Sequence, residues 1–485
     1  MLSALTPKII ALIVIYAIML FTMVRIVMDS RNAAKALGYL LLVLTVPVLG
    51  SIIYFSLGVN YRKKKIYSKK LIANDHLMHR IKKRIITSTQ QIMEQNKRKL
   101  EGHEDMVRLL LNDSLEPLSS NRVTLLTNGE EKFPAVIEAL EAAKQSIHIQ
   151  YYIYEEDEIG NRIKDILIRK SKSGVTVRFI YDDFGSRGIS RKFFRELKEA
   201  GVHTVPFFRV HLAVIASRIN YRNHRKIIVV DGRVGFVGGI NVSDRYINNG
   251  IEKLFWRDTH VKIEGPGVLS LQYHFLADWN FCARQDIAPD EIHFPNTALL
   301  PKGDSLVQVV ASGPDYSNPS IMLCYFTAIV NAREQVYITS PYFIPNNSIN
   351  DAIKKAALSG KDVRLLVPGV SDSHFVNAAS RSYYGELLRC GVKIYLYQKG
   401  FVHAKTIVVD NSLAIVSTAN MDFRSFEFNF EIGAVIYGER ICQELTENFL
   451  HDIQYSEQLT INEWQARGQV QKLTEKLARL VSPLL

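Results

Sequence analysis

The pattern H-x-K-x4-D-x6-(G/S)-(G/T)-x-N occurs twice in this chain, and no other feature constrains the fold as tightly. The first copy is His224, Lys226, Asp231, Gly238, Gly239 and Asn241; the second is His403, Lys405, Asp410, Ser417, Thr418 and Asn420. Both run 17 positions from histidine to asparagine. One copy would read as a polar strand end. Two copies with matched spacing imply two half-sites meeting across a pseudo-two-fold, with two imidazoles and two ammoniums directed at one anionic group. That set of groups suits phosphate transfer.

The surrounding sequence repeats as well. Gln335–Ile344 parallels Ser146–Tyr154, Gly360–Pro368 parallels Gly174–Asp182, and Cys390-Gly391-Val392 parallels Ala200-Gly201-Val202. The last two offsets are 186 and 190 residues, against 179 for the H-x-K core, so a whole domain is duplicated. Between these landmarks, β-type runs such as VTLLT (Val123–Thr127) and VTVRFIYDD (Val175–Asp183) alternate with helical patterns such as FPAVIEALEAAK (Phe133–Lys144). The alternation predicts an α/β fold, two mixed sheets flanked by helices. Pro289, Pro295, Pro301, Pro314 and Pro319 mark residues 282–320 as the linker between halves. The expected divisions are a membrane anchor over 1–60, a basic helical connector over 61–115, a first half over 116–295 and a second over 296–485.

Composition matters most at the N-terminus. Sixteen uncharged residues lie between Lys8 and Arg25, and twenty-six more, Ala36–Tyr61, between Lys35 and Arg62. As helices these runs would measure about 24 Å and about 39 Å, against a hydrocarbon core of roughly 30 Å. Two transmembrane helices are expected, the first short enough to need snorkelling by Lys8 and Arg25. A cleaved signal peptide fits less well, since no A-x-A-like site follows and a second apolar run arrives at once. The basic excess after the second run (Arg62, Lys63, Lys64, Lys65, Lys69, Lys70, then Lys82, Lys83 and Arg84) outweighs Arg25, Arg31 and Lys35 in the loop. This predicts a cytoplasmic catalytic portion and attraction to anionic lipids. The formal net charge of +12 also favours an anionic partner. Four scattered cysteines, without C-x-x-C spacing, suggest neither a zinc site nor a disulfide framework.

The motif residues divide by chemistry. His224 and Lys226, two apart on a strand, leave the same face, as do His403 and Lys405. Small residues at Gly239 and Thr418 would let backbone approach an oxyanion, and Asn241 and Asn420 would donate side-chain N–H groups to it. One imidazole attacks phosphorus; the other protonates the leaving alkoxide and then deprotonates the incoming alcohol. A carboxylate must hold each tautomer, and Asp258 in FWRDTHV and Glu431 in FNFEIGAV are the candidates. Asp231 and Asp410 complete the catalytic set formally, yet both follow buried strands, where structural hydrogen bonds are expected more than proton transfer. His374, in GVSDSHF, is a further histidine that would line the site or stand in solvent.

At these residues the chain resembles the phospholipase D superfamily, and over nearly its full length the bacterial cardiolipin synthases. The resemblance rests on GVNYRKKK, NHRKIIVVDGRVGFVGGIN, WRDTH, VASGPD (Val310–Asp315), ASRSYYGELLRCGVKIY and FVHAKTIVVD…STANMDFRSFEFNFE. It implies phosphatidyl transfer between two phosphatidylglycerol molecules, giving cardiolipin and glycerol through a phosphohistidine, without metal or cofactor. It also implies a bacterial cell membrane location, multi-pass, with anionic lipids and no nucleic acid as partners. The usual family arrangement makes His224 the nucleophile and His403 the acid/base. Ser417 departs from the usual glycine, which bears on how closely backbone approaches that half-site. A hydrolytic phospholipase D is the alternative, a nuclease of the superfamily the third reading, and a non-catalytic lipid-binding scaffold the fourth. Oligomeric state is left open.

Overall fold

The computed structural model describes residues 7–29, 33–55, 75–207, 221–250, 254–285, 287 and 293–482. Helix α1 (Pro7–Asp29) has 23 residues, about 35 Å at helical rise, and among the described residues is the one helix long and apolar enough to cross a membrane. It exceeds the uncharged run because Lys8 and Arg25 are both inside it, Arg25 paired 2.8 Å from Asp29 one turn on. The second apolar run, expected as one long helix, is instead broken into α2 (Ala33–Thr45) and α3 (Pro47–Ile53). Pro47 lacks an N–H and its ring clashes with the preceding turn, so Val46 leaves helical geometry at φ −137°. The pieces stay together: Gly50 sits where a Cβ would lie 2.6 Å from the Leu42 carbonyl oxygen, and Ser51 meets Thr22 of α1 at 3.1 Å. The polybasic stretch from Arg62 to Lys70 lies outside the described residues. Helix α4 (Asp75–Gln95) carries Lys82, Lys83 and Arg84 exposed, and α5 (Glu104–Ser114) follows.

The first half runs β1 (Ser119–Thr127), α6 (Asn128–Ala142), β2 (Ser146–Tyr151), α7 (Glu158–Lys172), β3 (Thr176–Asp182), α8 (Arg191–Glu199) and β4 (His203–Phe207). It continues with β5 (Ile227–Val230), β6 (Val234–Gly238), β7 (Phe255–Arg257), β8 (Thr259–Glu264) and α9 (Val268–Ala283). The second half repeats the plan: β9 (Ser305–Ser312), α10 (Ser320–Asn331), β10 (Gln335–Thr339), β11 (Phe343–Ile344), α11 (Asn347–Leu358), β12 (Asp362–Pro368), α12 (His374–Arg389) and β13 (Lys393–Tyr397). Then come β14 (Gly400–Val402), β15 (Thr406–Val409), β16 (Leu413–Ser417), β17 (Met421–Asp422), α13 (Phe423–Glu427), β18 (Glu431–Tyr437) and α14 (Glu439–Gln454). Strand β19 (Ser456–Leu459) and helices α15 (Ile461–Gln465) and α16 (Gln469–Val481) end the described chain.

Two separate large sheets were expected; among the described residues they are joined into one, beside the two-stranded pairs β11–β17 and β14–β7. Fifteen strands run continuously in the order β19-β13-β12-β10-β15-β16-β18-β9-β1-β8-β6-β5-β2-β3-β4. Each half is mixed, with β2, β3 and β4 parallel and β5 antiparallel to β2, as β10, β12 and β13 are parallel and β15 antiparallel to β10. The halves fuse where β1 pairs antiparallel with β9 through Ser119–Val307 and Ser120–Leu306. The proline-rich stretch read as a linker therefore contains a central strand. Its sequence SLVQVVAS is buried on both faces, and an all-buried strand lacks the alternation that marks a half-exposed one. Its prolines lie outside the strand, where they cost no ladder hydrogen bond.

Candidate active site

Each histidine is delivered by a short segment that leaves its own half. Backbone N–H of His224 donates to the Phe430 carbonyl at 2.9 Å, and that of Phe430 donates to Arg222. In the mirror position β14 pairs in parallel with β7, and the N–H of His403 donates to the Arg257 carbonyl at 2.7 Å. Each imidazole is thereby set beside the carboxylate that follows in the opposite half. His224 Nδ1 lies 3.0 and 2.9 Å from the Glu431 oxygens, and His403 Nδ1 lies 2.7 Å from Asp258 Oδ2. A carboxylate only accepts, so Nδ1 carries the proton and Nε2 keeps its lone pair. Their place on apolar strands singles out the two carboxylates; the crossed pairing is a product of the fold.

Burial sets the charge state. His224 and His403 are each 8% exposed. Burial and then Lys405 push the His403 imidazole down to about 3, against the pull of Asp258. Burial also lowers His224, opposed by Glu431. Burial alone would raise the Asp258 carboxyl; Lys405 and His403 outweigh it and hold it low. Lys226 is brought down to about 7 and Lys405 to about 8, burial being the main cause in both, and Lys405 further lowers Lys226. The Nζ of Lys226 donates to the carbonyl of His224 at 2.9 Å, and that of Lys405 likewise to His403. Two buried ammoniums next to each other make a site that an anion would stabilise.

The remaining expected residues separate into distinct places. Asp231 and Asp410 are not at this centre. Each sits at a strand turn with positive φ, 53° and 51°. Asp231 accepts N–H bonds from Lys144, Gln145 and Ser146, and Asp410 from Arg333, Glu334 and Gln335, at 2.7–2.9 Å. The catalytic role expected of them gives way to a structural one: each ties a hairpin to the neighbouring strand. Gly239 and Thr418 face the carboxylates, not an open oxyanion pocket. A Cβ on Gly239 would lie 2.1 Å from Asp258 Oδ1, and Thr418 Oγ1 donates to Glu431 Oε2 at 2.5 Å. Asn241 donates to the Tyr246 hydroxyl at 2.8 Å and accepts from the Ile153 N–H, which uses part of the capacity expected for phosphate. Asn420 keeps its Oδ1 buried without a hydrogen-bond partner. His374 stands exposed in the first turn of α12.

The departure at Ser417 has a local answer. Gly238 pairs across the ladder with His260, and Ser417 with Gly433. A Cβ on Gly238 would meet His260 at 2.6 Å, and one on Gly433 would meet Ser417 at 2.9 Å. The glycine has changed strands, so each ladder pair keeps one member without a side chain and the serine is accommodated opposite Gly433.

Several residues of the site had no signal in the spacing. Tyr152 lies edge-on to His224 with ring centroids 4.9 Å apart. Trp256, Tyr246 and Phe401 surround His403 at 5.6, 5.9 and 5.9 Å. Arg225, between His224 and Lys226, points away from both and is buried against Asp278 of α9 at 2.8 Å; its Nε reaches the Glu431 carbonyl at 3.3 Å. Arg257, beside Asp258, pairs with Asp452 of α14 at 2.8 Å. Both strand crossings are thus pinned to a helix by an arginine. The W-R-D and H-R-K strings held these residues, but nothing in them told a brace from a surface charge.

Comparison with known proteins is consistent over nearly the whole chain. A family model described as "Cardiolipin synthase, PLD-like domain" matches residues 136–270 and 325–453. The cardiolipin synthase of Alkalihalophilus pseudofirmus is 41% identical over 468 residues, 96% of this chain and 92% of that protein. The major cardiolipin synthase of Bacillus subtilis is 39% identical over 471 residues, covering 96% of this chain and 97% of the relative. Among solved structures, the phosphatidylserine synthase of Haemophilus influenzae superposes with a TM-score of 0.59 at 16% identity, over 78% of this chain and 100% of that one, a likeness of fold.

Proposed function

The chain belongs to the cardiolipin synthase family with phospholipase D-like domains, and we propose that His224 and His403 divide its chemistry across one phosphodiester. The protein is a phosphatidyltransferase of the phospholipase D superfamily, a cardiolipin synthase by activity, acting on phospholipid. The crossed pairs His224–Glu431 and His403–Asp258 are the observation that carries a two-histidine reaction, and the usual arrangement of the family gives the attack to His224.

In the first step, Nε2 of His224 attacks the phosphorus of phosphatidylglycerol. A P–N bond forms as the P–O bond to glycerol breaks, and His403 gives its proton to the departing alkoxide. In the second step, a hydroxyl of another phosphatidylglycerol attacks the same phosphorus, His403 takes that proton back, and the P–N bond breaks. The products are cardiolipin and glycerol. Lys226 and Lys405 balance the negative charge of the transferring group, and Asn241 and Asn420 supply what donors they retain. The phosphodiester anion opposes both burial and the lysines, and so raises His403 toward the protonated form its first task requires. Glu431 stabilises the charge on His224 as the phosphohistidine forms. No step calls for a metal or cofactor.

The same reading extends to the membrane. Helix α1 spans the bilayer, and α2 with α3 completes a second crossing over residues 1–60. Residues 61–115 form the basic connector, and two halves, 116–295 and 296–485, are related by a pseudo-two-fold between β1 and β9, with the catalytic portion on the cytoplasmic side. The palindromic strand order supports the pseudo-two-fold, the exposed apolar side chains of α1 to α3 support the crossings, and the basic excess after residue 61 supports the cytoplasmic side.

The test is incubation of the purified protein with phosphatidylglycerol vesicles in EDTA, beside His224→Ala and His403→Ala. Cardiolipin and glycerol from the wild type alone are expected, with labelled phosphatidyl trapped on His224. Phosphatidic acid without cardiolipin would make the enzyme a hydrolase; label on His403 would reverse the two roles.

A further inference from the structure

The two halves match at their histidines and lysines but differ in what surrounds them. Two residues before His403 stands Phe401, whose ring lies 5.0 Å from Trp256 in the aromatic wall around that histidine. Two residues before His224 stands Arg222. Arg245 and Arg424 also occupy matching places in the two motifs. Arg245 is ion-paired with Glu155 and covered by Trp256 at 5.5 Å. Arg424 lies close enough to Arg222 for their charges to oppose each other. One flank of the site is therefore lined by Phe401 and Trp256, with Arg245 ion-paired, while on the other Arg222 and Arg424 lie near each other.

The cationic flank has an unmet need. Arg222 is 3% exposed, and its Nη2 is buried without a hydrogen-bond partner. Its guanidinium lies 4.5 Å from the ring centre of exposed Phe184, which Arg187 also approaches at 5.3 Å. Asp182 and Asp183 attract Arg222 electrostatically. Asp182, however, accepts the N–H groups of Phe184, Gly185 and Asn223 at 3.1, 2.9 and 3.1 Å and takes no hydrogen bond from Arg222. Tyr152, edge-on to His224, feels both Arg222 and Arg424, so the patch begins at the ring that covers the histidine. A buried guanidinium N–H without an acceptor is costly, and an anionic oxygen is its natural partner.

The reaction supplies such an anion. The donor phosphate occupies the histidine–lysine centre and its leaving group, glycerol, is neutral. The acceptor lipid attacks through a hydroxyl that belongs to a headgroup carrying a phosphodiester of its own. Transfer to lipid thus brings two phosphates into adjoining places, whereas exchange with free glycerol, or hydrolysis, brings one. We propose that Arg222, with Arg424 beside it, forms a subsite for this second phosphodiester and so selects an anionic lipid as acceptor. The proposal rests on the phosphatidyl-transfer reading above.

The experiment uses the full-length protein on phosphatidylglycerol vesicles containing labelled glycerol. Cardiolipin formation reports the anionic acceptor; label entering phosphatidylglycerol reports a neutral acceptor through the same phosphohistidine. In Arg222→Gln, cardiolipin formation should fall about tenfold or more relative to glycerol exchange, the loss of one charged hydrogen bond. Arg222→Lys should recover part of that selectivity, and thermal melting of each variant should match the wild type. Equal loss of both activities would make Arg222 a general support of the site and overturn the proposal. So would loss of inorganic phosphate binding in Arg222→Gln with cardiolipin formation intact, which would assign the patch to free phosphate. A wild type that exchanges glycerol but makes no cardiolipin would overturn the transfer reading itself, a separate outcome.

Discussion

His403 Nδ1 lies 2.7 Å from Asp258 Oδ2, across 145 residues of sequence and from one half of the chain to the other. The reciprocal contact joins His224 to Glu431 at 2.9 Å. Neither histidine meets its carboxylate within its own repeat, so the proposed site is assembled only when both repeats fold together.

From this crossing follows the first expectation. Asp258→Asn and Glu431→Gln each remove the negative charge beside a histidine of the opposite half while keeping shape. Turnover should fall roughly 10²- to 10⁴-fold in each, the scale of a lost acid–base contribution, with melting temperature little changed. In Asp258→Asn the phosphohistidine on His224 should still form with an activated donor whose leaving group needs no proton. Failure to form it would place Asp258 on the nucleophilic side.

The lysines predict an alkaline limb. Lys226 at about 7 and Lys405 at about 8 are cations below those values and neutral above them. An anionic substrate is attracted by the cations, so kcat/KM, which reports the free enzyme, should decline as pH rises through about 7 to 8. Lys405→Arg stays charged throughout and should flatten the Lys405 part of the decline, whatever its effect on the maximum rate. A pH–rate profile on both proteins decides it; an unchanged limb would remove Lys405 from the titration.

Arg225 and Asp278 form a buried ion pair at 2.8 Å beneath the His224 strand. Arg225→Met alone strands the Asp278 carboxylate and should cost about 3–5 kcal/mol in denaturant unfolding. The double variant Arg225→Met, Asp278→Leu removes both charges and should recover much of that. A double variant no more stable than the single one would mean that the Arg225 bonds to the Glu431 and Ser312 carbonyls matter more than the pair.

Asp410 tests the meaning of the motif's third residue. Its carboxylate accepts the N–H groups of Arg333, Glu334 and Gln335. Asp410→Ala should lower stability by about 1–3 kcal/mol and leave kcat of the folded enzyme within a few-fold. A large fall in kcat with unaltered stability would restore the catalytic assignment.

The exchange of small residues between strands predicts a rescue. Gly433→Ala drives a Cβ to within 2.9 Å of Ser417 and should destabilise by about 1–3 kcal/mol. Adding Ser417→Gly should relieve it, as Gly238 does opposite His260. Absence of rescue in thermal melting would show that the strands separate to absorb the contact.

Much of this protein could be read from its residues in order, and the reasons are physical. Alternating β and α patterns identified the α/β halves because period is a local property. The repeated spacing picked out His224, Lys226, His403 and Lys405, since a shared strand face needs only two-residue separation. Even Asp258 and Glu431 were marked, by their place on apolar strands. What misled was context: β9 hid in a proline-rich stretch because a strand buried on both faces carries no alternation, and Pro47 split a helix that hydropathy alone made continuous. Sequence by itself thus determined the two half-sites and the chemistry of the groups in them. Only the tertiary structure decided that the two sheets become one, that each imidazole takes the other half's carboxylate, and that Arg222 on one flank answers Phe401 on the other. Those are contacts between residues far apart in the chain, fixed by the joining of β1 to β9 and the crossing of the histidine segments, and no local spacing encodes which partner a strand will meet.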